Sequence, residues 1–257
     1  MAHVERLRIH PVKALDAAEV ESARVTEGGT LAGDREYALF DADGEPINGK
    51  RTDRVHRLRT SFDPGTRVLT VDDADGERVA FDLDGERAAA EAWFGDRLDA
   101  DVEIRRDDAL GYVDRRRAGP SVVSTATVEA LASWFDDLTV EGARRRLRAN
   151  VEVGGVPAFW EDRFVGEDAP AFVAGDVRFE GVEPCGRCVV PERDPDTGER
   201  TPAFRERFAE RREATFPEWA DPDAFEHYYT LMLIARVPAS DRGRTLRVGD
   251  EVAVRPE

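Results

Sequence analysis

Lysine is nearly missing from this chain: of its 37 cationic side chains only Lys13 and Lys50 are lysines, and the others are arginine. Positive charge as a whole is outnumbered by 54 acidic side chains, which leaves a formal net charge of −17. That balance excludes a nucleic-acid coat, because affinity for a duplex comes mainly from neutralising phosphates with Lys and Arg. An acidic, lysine-poor composition is also what a salt-rich cytoplasm favours. There the Debye length shrinks to about 3 Å and self-repulsion of the surface is screened, so a halophilic source is expected. Cysteine is just as scarce, and two sulfurs, Cys185 and Cys188, cannot staple a secreted fold of 257 residues. No run approaches the about 18 apolar residues of a membrane span. The opening Met1-Ala2-His3-Val4-Glu5-Arg6 has no apolar signal region either. A cytoplasmic protein with no nucleic-acid or membrane partner is expected.

What is present is enough apolar residue, 41 %, to build a core. Val4 to Val12 and Arg35 to Phe40 read as strands, the second followed by the turn Asp41-Ala42-Asp43-Gly44. Arg67 to Val71 is expected to pair with Arg78 to Leu83 across Asp72-Asp73-Ala74-Asp75-Gly76. Ala88 to Phe94 reads as a short helix with Gly95 as its C-cap. Ser124 or Thr125 can cap a second helix that puts Val128, Leu131 and Phe135 on one face. Further strands are expected at Ala149 to Val153, Asp176 to Val182, Tyr228 to Val237 and Leu246 to Val254. Thr201-Pro202 opens a last helix, with Pro at its first position and Phe204 and Phe208 on one face. The fold class is β-rich α+β: a small N-terminal β domain, residues 1–95, then a larger β-barrel-like domain, residues 96–257, with helices at its margins.

Chemistry concentrates in Glu183-Pro184-Cys185-Gly186-Arg187-Cys188-Val189-Val190-Pro191. A structural zinc site needs four ligands, and His3, His10, His56 and His227 are isolated in the sequence. An iron–sulfur cluster needs about four thiolates. A thioredoxin-type dithiol sits where a strand feeds a helix, whereas Val189-Val190-Pro191 opposes a helix. One thiolate serving a metal whose other ligands come from a cofactor fits the pattern best, with two inert thiols as the plain alternative. Arg187 beside it would lower a thiol pKa and could meet an anionic group.

Cys185-Gly-Arg-Cys188, Asp194-Pro-Asp-Thr-Gly198 and the terminal Arg247-Val-Gly-Asp250-Glu-Val together resemble the MOSC domain, the module named for the C-terminus of molybdenum cofactor sulfurase. His10-Pro11-Val12-Lys13 and Gly33-Asp34-Arg35 resemble the opening of the β-barrel domain that precedes MOSC in the branch containing the amidoxime-reducing components. The resemblance implies that residues 1–95 are that N-terminal barrel and residues 96–257 the MOSC domain. It implies that Cys188 is the catalytic residue and protein ligand to molybdenum, and that Lys13, Arg35, Arg148, Asn150, Gly186 and Arg187 surround a molybdopterin-type cofactor. The family's Arg-Pro-Asn is Arg148-Ala149-Asn150 here, and its polar residues before a proline are replaced in Ala118-Gly119-Pro120-Ser121, leaving Ser121 and Ser124 as candidates. Arg115-Arg116-Arg117 could border the cofactor entrance or balance Asp107, Asp108 and Asp114.

The implied reaction is reduction of N-hydroxylated compounds such as amidoximes. Both cysteines belong to one motif and no G-x-G-x-x-G is present, so no iron–sulfur, flavin or nicotinamide site of the chain's own is expected, and electrons should come from a separate ferredoxin or cytochrome b5-like protein. Pyridoxal phosphate is not expected, since a Schiff base would have to use Lys13 or Lys50. The alternative is a carrier that binds the cofactor, or holds sulfur as a persulfide on Cys185, without turnover; a metal-free dithiol oxidoreductase is a third.

Overall fold

The computed structural model describes residues 1–116 and 118–255. The chain begins with β1 (His3–Ile9), β2 (Ala18–Glu19), β3 (Ser22–Arg24) and β4 (Tyr37–Phe40). A meander follows, β5 (Arg59–Asp63), β6 (Val68–Asp72) and β7 (Arg78–Asp82), and then α1 (Arg87–Leu98) and β8 (Glu103–Arg106). The second half holds β9 (Ser121–Ser124), α2 (Thr125–Ser133), α3 (Val140–Leu147), β10 (Val151–Gly154), β11 (Ala171–Ala174) and β12 (Val177–Gly186). It closes with α4 (Phe204–Ala214), β13 (Thr230–Arg236), β14 (Thr245–Arg247) and β15 (Val252–Arg255).

The β-rich reading holds. An eight-stranded sheet runs β15-β11-β12-β13-β9-β10-β1-β2 and takes strands from both halves of the chain. Its central β13, Thr-Leu-Met-Leu-Ile-Ala-Arg, is buried on both faces up to its last residue, as the continuous apolar run requires. The ladder does not close, but His3 bridges Glu251 and the Val4 N–H donates to the Asp250 carbonyl at 2.8 Å, so the first strand meets the chain leading into the last. The meander pairs as its turn dictates, Val68 to Asp72 against Arg78 to Asp82.

Several local expectations shift. The first helix does not stop at Gly95: it runs to Leu98 and closes on Asp99, whose left-handed backbone places its N–H on the Gly95 carbonyl. Residue 95 thus lies inside α1, and β8 beyond it pairs with β4. Pro202 lies two residues before α4, which starts at Phe204 after a left-handed Ala203. Leu246 to Val254 is not one strand: the turn at Gly249 (φ +89°) splits it into β14, which pairs with β3, and β15, which pairs with β11. Arg35 does not join β4 because its backbone is left-handed at φ +54°. The Ser124 cap forms as expected, its Oγ accepting from the Thr127 N–H at 3.0 Å.

Three apolar clusters form the core. One lies on the large sheet around Val4, Val122, Phe172, Phe179 and Leu233. A second joins α2, α3 and α4 around Leu131, Leu147, Phe204, Phe208 and Cys185. The third fills the N-terminal part around Tyr37, Val71, Phe81, Phe94 and Ile104. Gly181 in β12 is needed for the sheet to close on residues 160–164, since a Cβ there would sit 1.6 Å from the Phe164 carbonyl oxygen. Among the described residues no helix is long and apolar enough to cross a membrane.

Candidate functional site

A cavity of about 490 Å³ lies between the second and third clusters, with Cys185, Met232 and Ile234 contributed by one and Leu15, Val55 and Leu58 by the other. β12 delivers the cysteine motif to it. Register shifts between Gly181 and Glu183 and between Pro184 and Gly186 bend the end of this strand where it pairs with β13. The motif is then pinned: the Arg187 N–H donates to the Tyr229 carbonyl at 2.9 Å, the Tyr229 hydroxyl donates to the Cys188 carbonyl at 3.2 Å, and the Val190 N–H reaches Cys188 Sγ at 3.5 Å. Both thiols are free, Cys185 buried and Cys188 half-buried. Lys13, Arg35, Arg148, Asn150, Gly186, Arg187 and Cys188 all line this one cavity, although they come from segments up to 175 positions apart in the sequence, from Lys13 to Cys188.

The walls invert the charge of the molecule. Nine cations line the cavity against two carboxylates, Asp16 and Asp114. The chain's two lysines both stand here and share Asp114, Lys13 on one oxygen and Lys50 on the other at 3.2 Å. Burial alone would raise the Asp114 carboxyl, but Lys13 and Lys50 outweigh it and hold it at about 2. Arg35 is held by buried Asp34, Arg115 by Glu183, Arg145 by Asp196 and, at 3.6 Å, Arg146 by Asp194. Among the described residues Arg148, Arg187 and Arg193 have no carboxylate. The Arg148 side chain makes no hydrogen bond among the described residues, and removal from water, then Arg35 beside it, lowers its pKa to about 10. A half-buried guanidinium left in that state fits an anion that arrives with a ligand.

Residues 1–140 match the MOSC N-terminal beta barrel domain, and residues 116–253 match the MOSC domain. Together they cover nearly the whole chain. The chain belongs to the MOSC family. It is 24 % identical over 242 residues to "Mitochondrial amidoxime-reducing component 1" of Danio rerio, covering 76 % of this chain and 70 % of that one. It is likewise 24 % identical over 231 residues to "Mitochondrial amidoxime reducing component 2" of Bos taurus, covering 76 % and 67 %.

Within this MOSC cavity the expected residues divide by what they touch. Asn150 is buried and engaged with protein: its Oδ1 accepts from the Ser121 N–H and hydroxyl, both at 3.1 Å, and its Nδ2 donates to the Arg8 carbonyl at 3.1 Å. It fastens β9 and β1 beneath the cavity. Arg187 is a clamp: Nη2 donates to the carbonyls of Arg146 and Leu147 at 3.3 and 3.0 Å, and Nη1 lies 3.1 Å from Cys185 Sγ. It closes the C-terminus of α3 and so places Arg148, whose left-handed backbone caps that helix. Ala14, Arg35, Arg148 and Met232 all have positive φ (75°, 54°, 60° and 78°) and all border the cavity. Half of the non-glycine positive-φ residues among the described residues thus border this one cavity. Beneath Arg35, His10 is buried; desolvation, then Arg148, lowers its pKa to about 3 and keeps it neutral.

Other lining residues escaped the sequence. Of the two serines in question, Ser121 lines the cavity, whereas Ser124 caps α2. Arg115 borders the cavity, and Arg117 lies outside the described residues. Lys50, His56 and Arg193 fall outside the motifs quoted from the sequence. Lys50 had one signal, the scarcity of lysine itself; His56 and Arg193 had none, because an isolated His and an Arg in an arginine-rich chain are unremarkable as sequence.

Proposed function

We propose that this protein binds a molybdopterin-type molybdenum cofactor through the Cys188 thiolate and reduces N-hydroxylated compounds with electrons from a separate redox protein. The supporting observation is the placement of a free, half-buried Cys188 in a cavity whose walls carry nine cations in a chain of net charge −17. The described residues hold no group of three His, Cys, Asp or Glu side chains that could bind a metal, so the donor set fits a single thiolate completed by a cofactor's own ligands. Arg148, Arg35 and Lys13 would hold the anionic and polar edge of the cofactor, and Arg187 with Tyr229 would fix the loop that carries the thiolate. The Val190 N–H directed at Cys188 Sγ orients the sulfur and withdraws charge from it.

When bound, the cofactor supplies the two-electron oxygen-atom chemistry of molybdenum. The balanced reaction breaks the N–O bond of an amidoxime, consumes two electrons and two protons, and releases an amidine and water. The electron donor would be a ferredoxin or a cytochrome b5-like protein.

Protein produced in a host that makes the cofactor and purified in high salt is expected to contain near-stoichiometric molybdenum and to yield pterin fluorescence after oxidation. Cys188→Ala is expected to lose the metal and all reduction of benzamidoxime by reduced viologen while keeping its fold by circular dichroism. Stoichiometric metal with undiminished turnover in Cys188→Ala would overturn the assignment.

A further inference from the structure

One part of the cavity wall is not absorbed by that function. The turn of residues 194–198 rests on the short helical turn at residues 54–57: a Cβ on Gly198, where φ is +76°, would come within 2.7 Å of the Asp53 carbonyl oxygen. Glycine is what lets the two loops touch, and their contact brings Arg193 and His56 to the same wall.

Arg193 makes one side-chain hydrogen bond, from Nη1 to the Gly198 carbonyl at 2.8 Å, and its buried Nε has no partner among the described residues. His56 is half-buried, its backbone N–H fixed on the Asp53 carbonyl at 3.0 Å, and its buried Nε2 is likewise without a partner. Burial, then Arg193 and Arg148, lowers the pKa of His56, against a hydrogen bond between its ring and the Gly49 backbone that raises it. The acid nearest His56 in sequence, Asp53, is turned to Arg57 at 3.1 Å, and Asp194, which follows Arg193, is turned to Arg146 at 3.6 Å. In a chain with 54 acidic side chains, a guanidinium on a cavity wall without a carboxylate is a place kept for an anion from outside.

The geometry points to a second anion subsite in this cavity, formed by Arg193 and His56, that takes a carboxylate or phosphate carried by the substrate. This rests on the reductase reading, in which substrate shares the cavity with the cofactor. The cofactor's own phosphate is the competing source of such an anion, and metal content tells the two apart.

The test uses molybdenum-loaded protein at one fixed salt concentration and three ligands with the same reacting group: 4-carboxybenzamidoxime, benzamidoxime and 4-(aminomethyl)benzamidoxime. Their binding is measured calorimetrically without reductant, and their KM with reduced viologen. The carboxylated ligand is expected to bind about tenfold tighter than the neutral one, the size of one charge-assisted contact. Arg193→Gln and His56→Gln should reduce that preference, Arg193→Lys should restore part of it, and molybdenum content should stay at the wild-type level in all three. Equal binding of the three ligands, a preference that survives Arg193→Gln, or loss of molybdenum in that variant would each overturn the subsite. Charge-selective binding without any turnover would remove the reductase reading alone; turnover without charge selectivity would remove the subsite alone.

Discussion

Two regions of this protein hold charge away from water, and they solve the problem in opposite ways. The cavity leaves Arg148 and Arg193 without a carboxylate among the described residues. The buried cluster behind α4 is closed: Arg212, fully buried, pairs with Asp162, donates from Nε to the Thr230 carbonyl at 3.3 Å, and lies against the rings of Phe159, Phe216 and Phe225. Beside it Glu161 is buried with Oε2 accepting from the Ser124 N–H and Oε1 unpartnered. Burial, then Asp162, raises the Glu161 pKa to about 8, so at neutral pH it stays protonated. An unneutralised guanidinium thus persists on a cavity wall, whereas a surplus charge in the core is removed by a proton.

The largest effect that separates the two regions is expected in the core. Arg212→Ala strands the Asp162 charge and should cost about 3–5 kcal/mol at pH 7, read from chemical denaturation. Arg212→Met combined with Asp162→Leu should recover most of that loss, because removing both charges also removes their desolvation cost. A mild Arg212→Ala phenotype would break the contrast.

Next in size is a pH dependence. Below its ordinary value of 4.5, Glu161 is protonated in both the folded and the unfolded chain. Between 4.5 and about 8 only the unfolded chain releases that proton, so its contribution to stability is lost as pH rises, by at most about 1.4 kcal/mol per pH unit. Asp162 beside it is raised to about 6 by burial and titrates in the lower part of this window, so Glu161→Gln should flatten the stability profile above about pH 6 in denaturant titrations; an unchanged slope there would place the titration elsewhere.

The smallest effect belongs to the cavity and has the opposite sign. Arg148→Gly relieves the left-handed backbone and the repulsion from Arg35, and should stabilise the cofactor-free protein by about 1 kcal/mol in thermal unfolding. The same variant should retain severalfold less molybdenum after expression, measured by mass spectrometry. Greater stability with undiminished metal would mean that Arg148 holds no part of the cofactor.

Much of this could be read along the chain because it depends on neighbours in sequence. The meander follows from Asp73-Ala74-Asp75-Gly76, the start of α2 from Ser124, and the cysteine motif from its own spacing. The errors have equally local causes. α1 outran Gly95 because Asp99 adopts the left-handed turn, and the last strand broke at Gly249 because its two halves pair with different strands, β3 and β11, far apart in the chain. Asn150 and Arg187 line the cavity, yet what they bond, the strand ladder and the end of α3, depends on partners that no motif names.

By itself the sequence determined the acidic balance, the β-rich class, the pair of thiols and the rarity of lysine, since composition, turn chemistry and short spacing survive without knowledge of long-range contacts. Only the tertiary structure decided that both lysines face Asp114, that His56 and Arg193 share a wall, and that three arginines there lack a carboxylate among the described residues. Which charge meets which is a matter of distance and burial, and the cavity draws those from segments that only folding brings together.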